Sequence, residues 1–199
     1  MQSNSIRSMV YVALFAALFI VLSIQQMRFN ISVIPITLQT FGIILAGLFL
    51  KPRLAFMSLA LVILLAFFGL PLFGGKGGIS HLIGPTGGFI IAFPFCAMFT
   101  SMAIEKLLSS KWIISKKVLT TIILFAIFML LSSMLSYLPG LLWFKNVASS
   151  YTWTKIYTMG VSFLPGDAIK SSVGALVAVS MLSFVYRFRK GSEVKGKQL

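Results

Sequence analysis

Residues 118–144 read VLTTIILFAIFMLLSSMLSYLPGLLWF, an unbroken run without a charged side chain. About 20 apolar residues, rising about 1.5 Å each, cross the roughly 30 Å hydrocarbon core of a bilayer. Lipid satisfies no backbone N–H or C=O, so the run is expected as helix, and it is far too long for an alternating barrel strand. Working outward, further uncharged runs cover 8–27, 29–50, 54–75 and 77–104. A sixth, 171–186, reaches span length once the stretch from Phe163 is added, which brings in Asp167 and Lys170. The spacing predicts an all-α membrane protein with six transmembrane helices in a single integral membrane domain over 1–199. The expected helices run about 6–26, 34–50, 54–71, 86–108, 117–143 and 163–187. Pro52 in the short turn after Lys51 makes helices 2 and 3 an antiparallel hairpin. The first run is followed by Gln25-Gln26-Met27-Arg28 rather than a small-residue cleavage site, so it reads as a span and not as a removable signal peptide.

Composition agrees. Of 199 residues 58% are apolar and 10% charged, with a mean hydropathy of +1.00, against about 45–50% and about 25% in soluble domains. The 17 basic and 3 acidic residues give a net charge of +14. Long uncharged stretches separate them, which argues against a basic surface for nucleic acid. With six spans, twelve basic residues fall on the side of the termini and four on the other, while Lys170 lies within a span. The positive-inside rule then puts both termini in the cytoplasm. The basic residues over 187–197 read as an anchor to the lipid surface, and Tyr137, Trp143, Tyr151, Trp153 and Tyr157 as an interfacial aromatic belt around the last outer loop. One cysteine, Cys96, and one histidine, His81, leave no internal disulfide, metal cluster or histidine-based triad to build.

Asp167 is the one acidic residue expected within a span, and Lys170 three positions on shares its helix face. Ionisable groups in membrane helices cost about 2.5–3.5 kcal/mol on insertion scales and normally face the bundle interior. A structural ion pair fixing helix 6 and a pair holding a polar ligand are both compatible with this; the second is preferred. Helix 6 is expected to start outside, with Pro165 in its first turn. Residues 74–88, GGKGGISHLIGPTGG, also fall outside; their glycines permit positive φ and close backbone approach to a ligand. Gln39, a polar residue at the outer start of helix 2, is the third such feature, so a solute pocket open to the outside is expected. Lys76 is followed by Gly77, so the loop is no P-loop, and no protease or hydrolase motif occurs. On helix 1, Ala13 and Ala17 form a small-xxx-small pair suited to a docking helix.

In order along the chain stand 33–39 VIPITLQ, 42–47 GIILAG, 69–71 GLP, 74–78 GGKGG, 84–89 GPTGGF and 164–170 LPGDAIK. Together they resemble the BioY family, the biotin-specific substrate-capture (S) components of bacterial energy-coupling-factor (ECF) transporters, over about residues 10–187. The resemblance implies an S-component-like six-helix bundle in the bacterial inner membrane and high-affinity capture of biotin from outside. It also implies association with a transmembrane T component and two cytoplasmic ATPase subunits, docking at Ala13 and Ala17, and no autonomous ATP hydrolysis; no cofactor or metal is expected, biotin being the transported ligand. Implied substrate-binding residues are Asp167, Lys170 and Phe89, with the glycine loop and its Gly84; Gln39, singled out by its polarity, is expected beside them. Many relatives have Tyr followed by a basic residue where this chain has Phe89-Ile90. Lys76 and the amides of Gly77 and Gly78 are therefore expected to hold the biotin carboxylate instead. Phe73, Phe89 or Phe163 would wall the thiophane ring. A solitary secondary transporter for a small solute, an S component for another vitamin, and an intramembrane enzyme using Asp167 and Lys170 as acid and base are the alternatives.

Overall fold

The computed structural model describes residues 2–27 and 36–191. Its elements in chain order are α1 (Gln2–Ile24), β1 (Gln26–Met27), β2 (Ile36–Thr37), α2 (Gln39–Phe49), α3 (Pro52–Phe67), α4 (Ile79–Leu82), α5 (Gly87–Ser109), α6 (Lys111–Ser115) and α7 (Lys117–Ile127). A π-helical segment (Phe128–Met134), α8 (Leu135–Val147), α9 (Trp153–Ser180) and α10 (Leu182–Gly191) follow. The two-residue strands pair antiparallel, Gln26 with Thr37 and Met27 with Ile36.

The bundle is built around α5, which packs on α2, α3 and α8. Its apolar window is 67% buried, against 28% in both α1 and the continuous stretch Lys117–Val147. Those outer helices turn apolar side chains outward, among them Leu14, Val118, Ile122 and Leu138. A band of exposed aliphatic side chains of this extent suits lipid, where no hydrophobic penalty attaches to them. Among the described residues three stretches are long and apolar enough to cross a membrane: Ile6–Ile24, Gly87–Ser109 and Lys117–Val147. The bent pair α9–α10 makes up to four, while α2 and α3 are shorter apolar helices.

The helices depart from expectation at several ends. Helix 2 begins at Gln39, not 34, because Ile36 and Thr37 are extended and paired with β1; Ile34 and Pro35 lie outside the described residues. Helix 5 continues through Pro139 to Val147 and contains the π segment. Helix 6 differs most. It starts at Trp153, where the Thr152 hydroxyl accepts the Lys155 amide at 3.4 Å, so Pro165 is inside α9 and not in its first turn. An interior proline forfeits a helical hydrogen bond at about 3 kcal/mol. Burial of Ile156, Met159 and Gly160 before it and of Asp167 and Ser171 after it holds the helix together across the defect.

At the other end α9 stops at Ser180, and α10 leaves at 78°. Arg189 anchors α10. Its guanidinium donates to the carbonyls of Gly47 and Leu48 at 3.0 Å each and to that of Ser101 at 3.1 Å, and it pairs with Glu105 at 3.2 Å. The last carbonyls of α2, left without helical donors, are thus capped by a cation, the favoured sign at a helix C-terminus.

Candidate functional site

Asp167 is 2% exposed, on the face of α9 that packs against α2. The i,i+3 spacing delivers Lys170 Nζ to 2.5 Å from its Oδ1. Lys170 also donates to Thr40 Oγ1 at 2.6 Å and to the Thr37 carbonyl at 3.0 Å. The Thr40 hydroxyl passes its proton on, donating to Asp167 Oδ1 at 2.8 Å, and the Tyr137 hydroxyl donates to Oδ2. A charge pair withdrawn from water is costly unless its remaining lone pairs and protons are also bonded. Here three elements supply those bonds: α2 through Thr40, α8 through Tyr137 and the β2 backbone through Thr37. Thr37 lies on extended backbone, which has no internal donor, and Lys170 fills that need as well.

From Tyr137 an aromatic line runs toward the loop. Tyr137 meets Phe163 edge-on at 5.9 Å, and Phe163 meets Phe89 at 6.2 Å. Phe89 lies against Gly140, where a Cβ would stand 2.4 Å from its ring. One turn further along α8, Trp143 Nε1 donates to the Gly84 carbonyl at 2.9 Å. Tyr137, Gly140 and Trp143 thus form one face of α8 that connects the ion pair to the start of α5.

The glycine loop is a built structure. Phe73 and Lys76 exchange backbone hydrogen bonds of 2.9 and 3.1 Å around Gly74 and Gly75, whose φ values of 60° and 78° are those of a tight type I′ turn. A Cβ on Gly77 would lie 2.0 Å from the Leu70 carbonyl oxygen, so the chain crosses itself there only as glycine. The Gly78 amide, expected to meet a ligand carboxylate, donates instead to the Ala66 carbonyl at 2.7 Å, tying the loop to the end of α3. Lys76 keeps its side chain exposed. His81 sits 6.1 Å from Phe73. Partial burial, and then the nearby Lys76 ammonium, pull its imidazole below the usual 6.5.

Of the residues singled out in the sequence, Asp167 and Lys170 touch, while Phe89 and Gly84 join them through Phe163, Tyr137 and Trp143. Gln39 does not join the cluster: its Nε2 is spent on the buried Ser23 hydroxyl at 2.8 Å, fastening α2 to α1. Phe73 packs edge-on against Phe19 of α1 at 6.2 Å and belongs to the same buried apolar cluster as Phe89, with Phe163 packed against it. Ala13 and Ala17 are exposed on α1, whose Val12, Phe15, Ala16 and Phe19 turn inward. Thr40 and Tyr137 were missed. Tyr137 read as part of the interfacial belt, and its place in the middle of an apolar run was the available signal. No group of His, Cys, Asp or Glu suited to a metal occurs among the described residues.

Apolar helices around a fully bonded ion pair, with an anchored glycine loop at the same end, define a polytopic membrane protein with a polar site near one face. The chain belongs to the BioY family, whose model matches residues 1–187. It is 34% identical over 175 residues to the probable biotin transporter BioY of Bacillus subtilis, covering 87% of this chain and 89% of that one. To the probable biotin transporter BioY of Pyrococcus horikoshii it is 35% identical over 166 residues, 81% and 90% of the two chains. To the biotin transporter BioY of Rhizobium etli it is 31% identical over 180 residues, 89% and 94%. Its fold matches the 2.1 Å crystal structure of the S-component for biotin from an ECF-type ABC transporter. That match has a TM-score of 0.76 and 24% identity, over 92% of this chain and 94% of that one.

Proposed function

We propose that this protein is the biotin-binding S component of an ECF transporter in the bacterial inner membrane, crossing six times with both termini in the cytoplasm. The observation that carries the reading is the Asp167–Lys170 pair, buried, bonded by Thr40 and Tyr137, and linked along α8 to Gly84 of the glycine loop. A ureido ring offers two N–H donors and one C=O acceptor. Asp167 would accept the donors, and Lys170 with the Tyr137 hydroxyl would serve the carbonyl. The ligand would exchange places with the Thr40 and Tyr137 bonds, so that few hydrogen bonds are lost on entry. Phe89 and Phe163 would flank the thiophane ring, and the exposed Lys76 ammonium would meet the carboxylate.

Six crossings are supported by the distribution of basic residues, twelve against four. By length α2, with 11 residues, covers about 16 Å. The extended residues Ile36 and Thr37 and the bend at Leu38 before it would lengthen the crossing, which membranes tolerate where such backbone is enclosed in protein. The outward face of α1 with Ala13 and Ala17 suits close approach by a helix of the T component, and two cytoplasmic ATPases would supply the hydrolysis for which this chain has no motif. Calorimetric titration of the solubilised protein with biotin, riboflavin and thiamine tests the ligand. Saturable binding of biotin alone is expected, and preference for either other vitamin refutes it. Concentrative uptake by the chain alone, driven by an ion gradient, would refute the subunit reading.

A further inference from the structure

At the end of the bundle away from Asp167, a cleft of about 980 Å³ opens between the end of α5, α6 and α10, with Lys51 at its edge. We propose that it binds the phosphodiester headgroup of an anionic phospholipid. Five basic side chains and one acidic one line it. The acid, Glu105, is paired with Arg189, whose guanidinium is buried against the carbonyls of Gly47, Leu48 and Ser101 and forms part of the cleft's wall. Lys111, Arg187 and Lys190 are exposed around it, and no other acidic side chain among the described residues lines the cleft. Like charges gathered on one concavity repel each other and focus a positive field into it, and a bound anion offsets both effects.

Two further observations select a lipid. Leu108, Ile114 and Leu182 give the cleft an apolar side beside its cationic one, matching an amphiphile better than a free ion. The 78° bend between α9 and α10 lays α10 along the membrane surface when α9 stands upright, at the depth of lipid phosphates. Trp112, 64% exposed on α6 with Lys116 over its ring at 4.2 Å, marks the same level.

The test is native mass spectrometry of delipidated full-length protein offered phosphatidylglycerol or phosphatidylcholine of identical chains. Phosphatidylglycerol should bind at least about tenfold more tightly, given the attraction of each basic residue at a membrane surface. The triple variant Lys111→Ala/Arg187→Ala/Lys190→Ala should lose that preference. A control with the same charge removed outside the cleft, Arg53→Ala/Lys106→Ala/Lys117→Ala, should keep it. Both variants must melt like the wild type; if the first does not, Lys111→Gln alone should lower the preference several-fold. Equal binding of the two lipids, or equal loss in the control, overturns the site. Displacement of the lipid by millimolar inorganic phosphate reassigns the cleft to a soluble anion and overturns the lipid. Unchanged lipid preference with failed assembly of the ATPase module makes it a protein-docking surface and equally refutes the proposal.

Discussion

Replacing Asp167 by alanine separates what the ion pair does for the fold from what it does for a ligand. The carboxylate takes hydrogen bonds from Thr40 and Tyr137 and the charge of Lys170, whose side chain is 11% exposed. Removing it leaves an ammonium buried without its counter-charge, a change that costs about 3–5 kcal/mol in comparable buried pairs. Lys170 keeps the Thr37 carbonyl and the Thr40 hydroxyl, so the lower part of that range is expected. Exchanging both charges, Asp167→Ala/Lys170→Met, removes the stranded charge and should bring stability back to within about 1–2 kcal/mol of the wild type, since apolar replacement of a buried pair is often close to neutral. Biotin affinity should not return. Truncating one partner of a buried charge-assisted contact costs about 2–5 kcal/mol, about thirtyfold to a few thousandfold in Kd, and the double variant has lost both partners. Thermal unfolding in detergent, followed by tryptophan fluorescence, reads the first quantity and calorimetry the second. A double variant that binds biotin like the wild type, or an Asp167→Ala protein that melts like it, refutes the reasoning.

Three other outcomes follow from the geometry around the loop. Gly88→Ala places a Cβ 2.4 Å from Trp143 Cβ and 2.5 Å from the Pro139 carbonyl oxygen, forcing α5 and α8 apart; unfolding should show a loss of about 1–3 kcal/mol. Trp143→Phe leaves the Gly84 carbonyl without its 2.9 Å donor; hydrogen exchange of residues 79–86 should accelerate, with about 1 kcal/mol lost locally. His81 has a folded-state pKa below 6.5, so the fold favours its neutral form. Its contribution is complete above the unfolded value and falls as pH drops from 6.5 through the lower folded value, so melting should weaken with acidification in that window. His81→Gln should flatten this dependence, and Lys76→Gln, which removes the second cause of the shift, should reduce it.

The class of fold was legible because charge is scarce: uncharged runs such as 118–144 mark lipid-facing helices whatever their partners. The contact between Asp167 and Lys170 was legible for a similarly local reason, since residues three apart share a helix face. Features set by other parts of the chain were not. Thr40 and Tyr137 look like ordinary members of apolar helices until α2 and α8 are packed on α9. Pro165 carried a strong local signal for a helix start, but the packing of Ile156, Met159 and Gly160 extends α9 past it. The loop glycines were recognisable as conformationally special, but the capture of the Gly78 amide by the Ala66 carbonyl and the close pass of Leu70 over Gly77 depend on where α3 and its following turn lie. Gln39 stood out as polar, and only the position of Ser23 determines that it ties two helices together.

The most direct measurement takes protein purified from cells supplied with a mixture of vitamins, denatures it, and identifies the released small molecule by mass, alongside Asp167→Ala/Lys170→Met prepared in the same way. Biotin in equimolar amount from the first and none from the second is the predicted result. Another vitamin released from the wild type, or biotin retained equally by the variant, would contradict the assignment of capture to this buried pair.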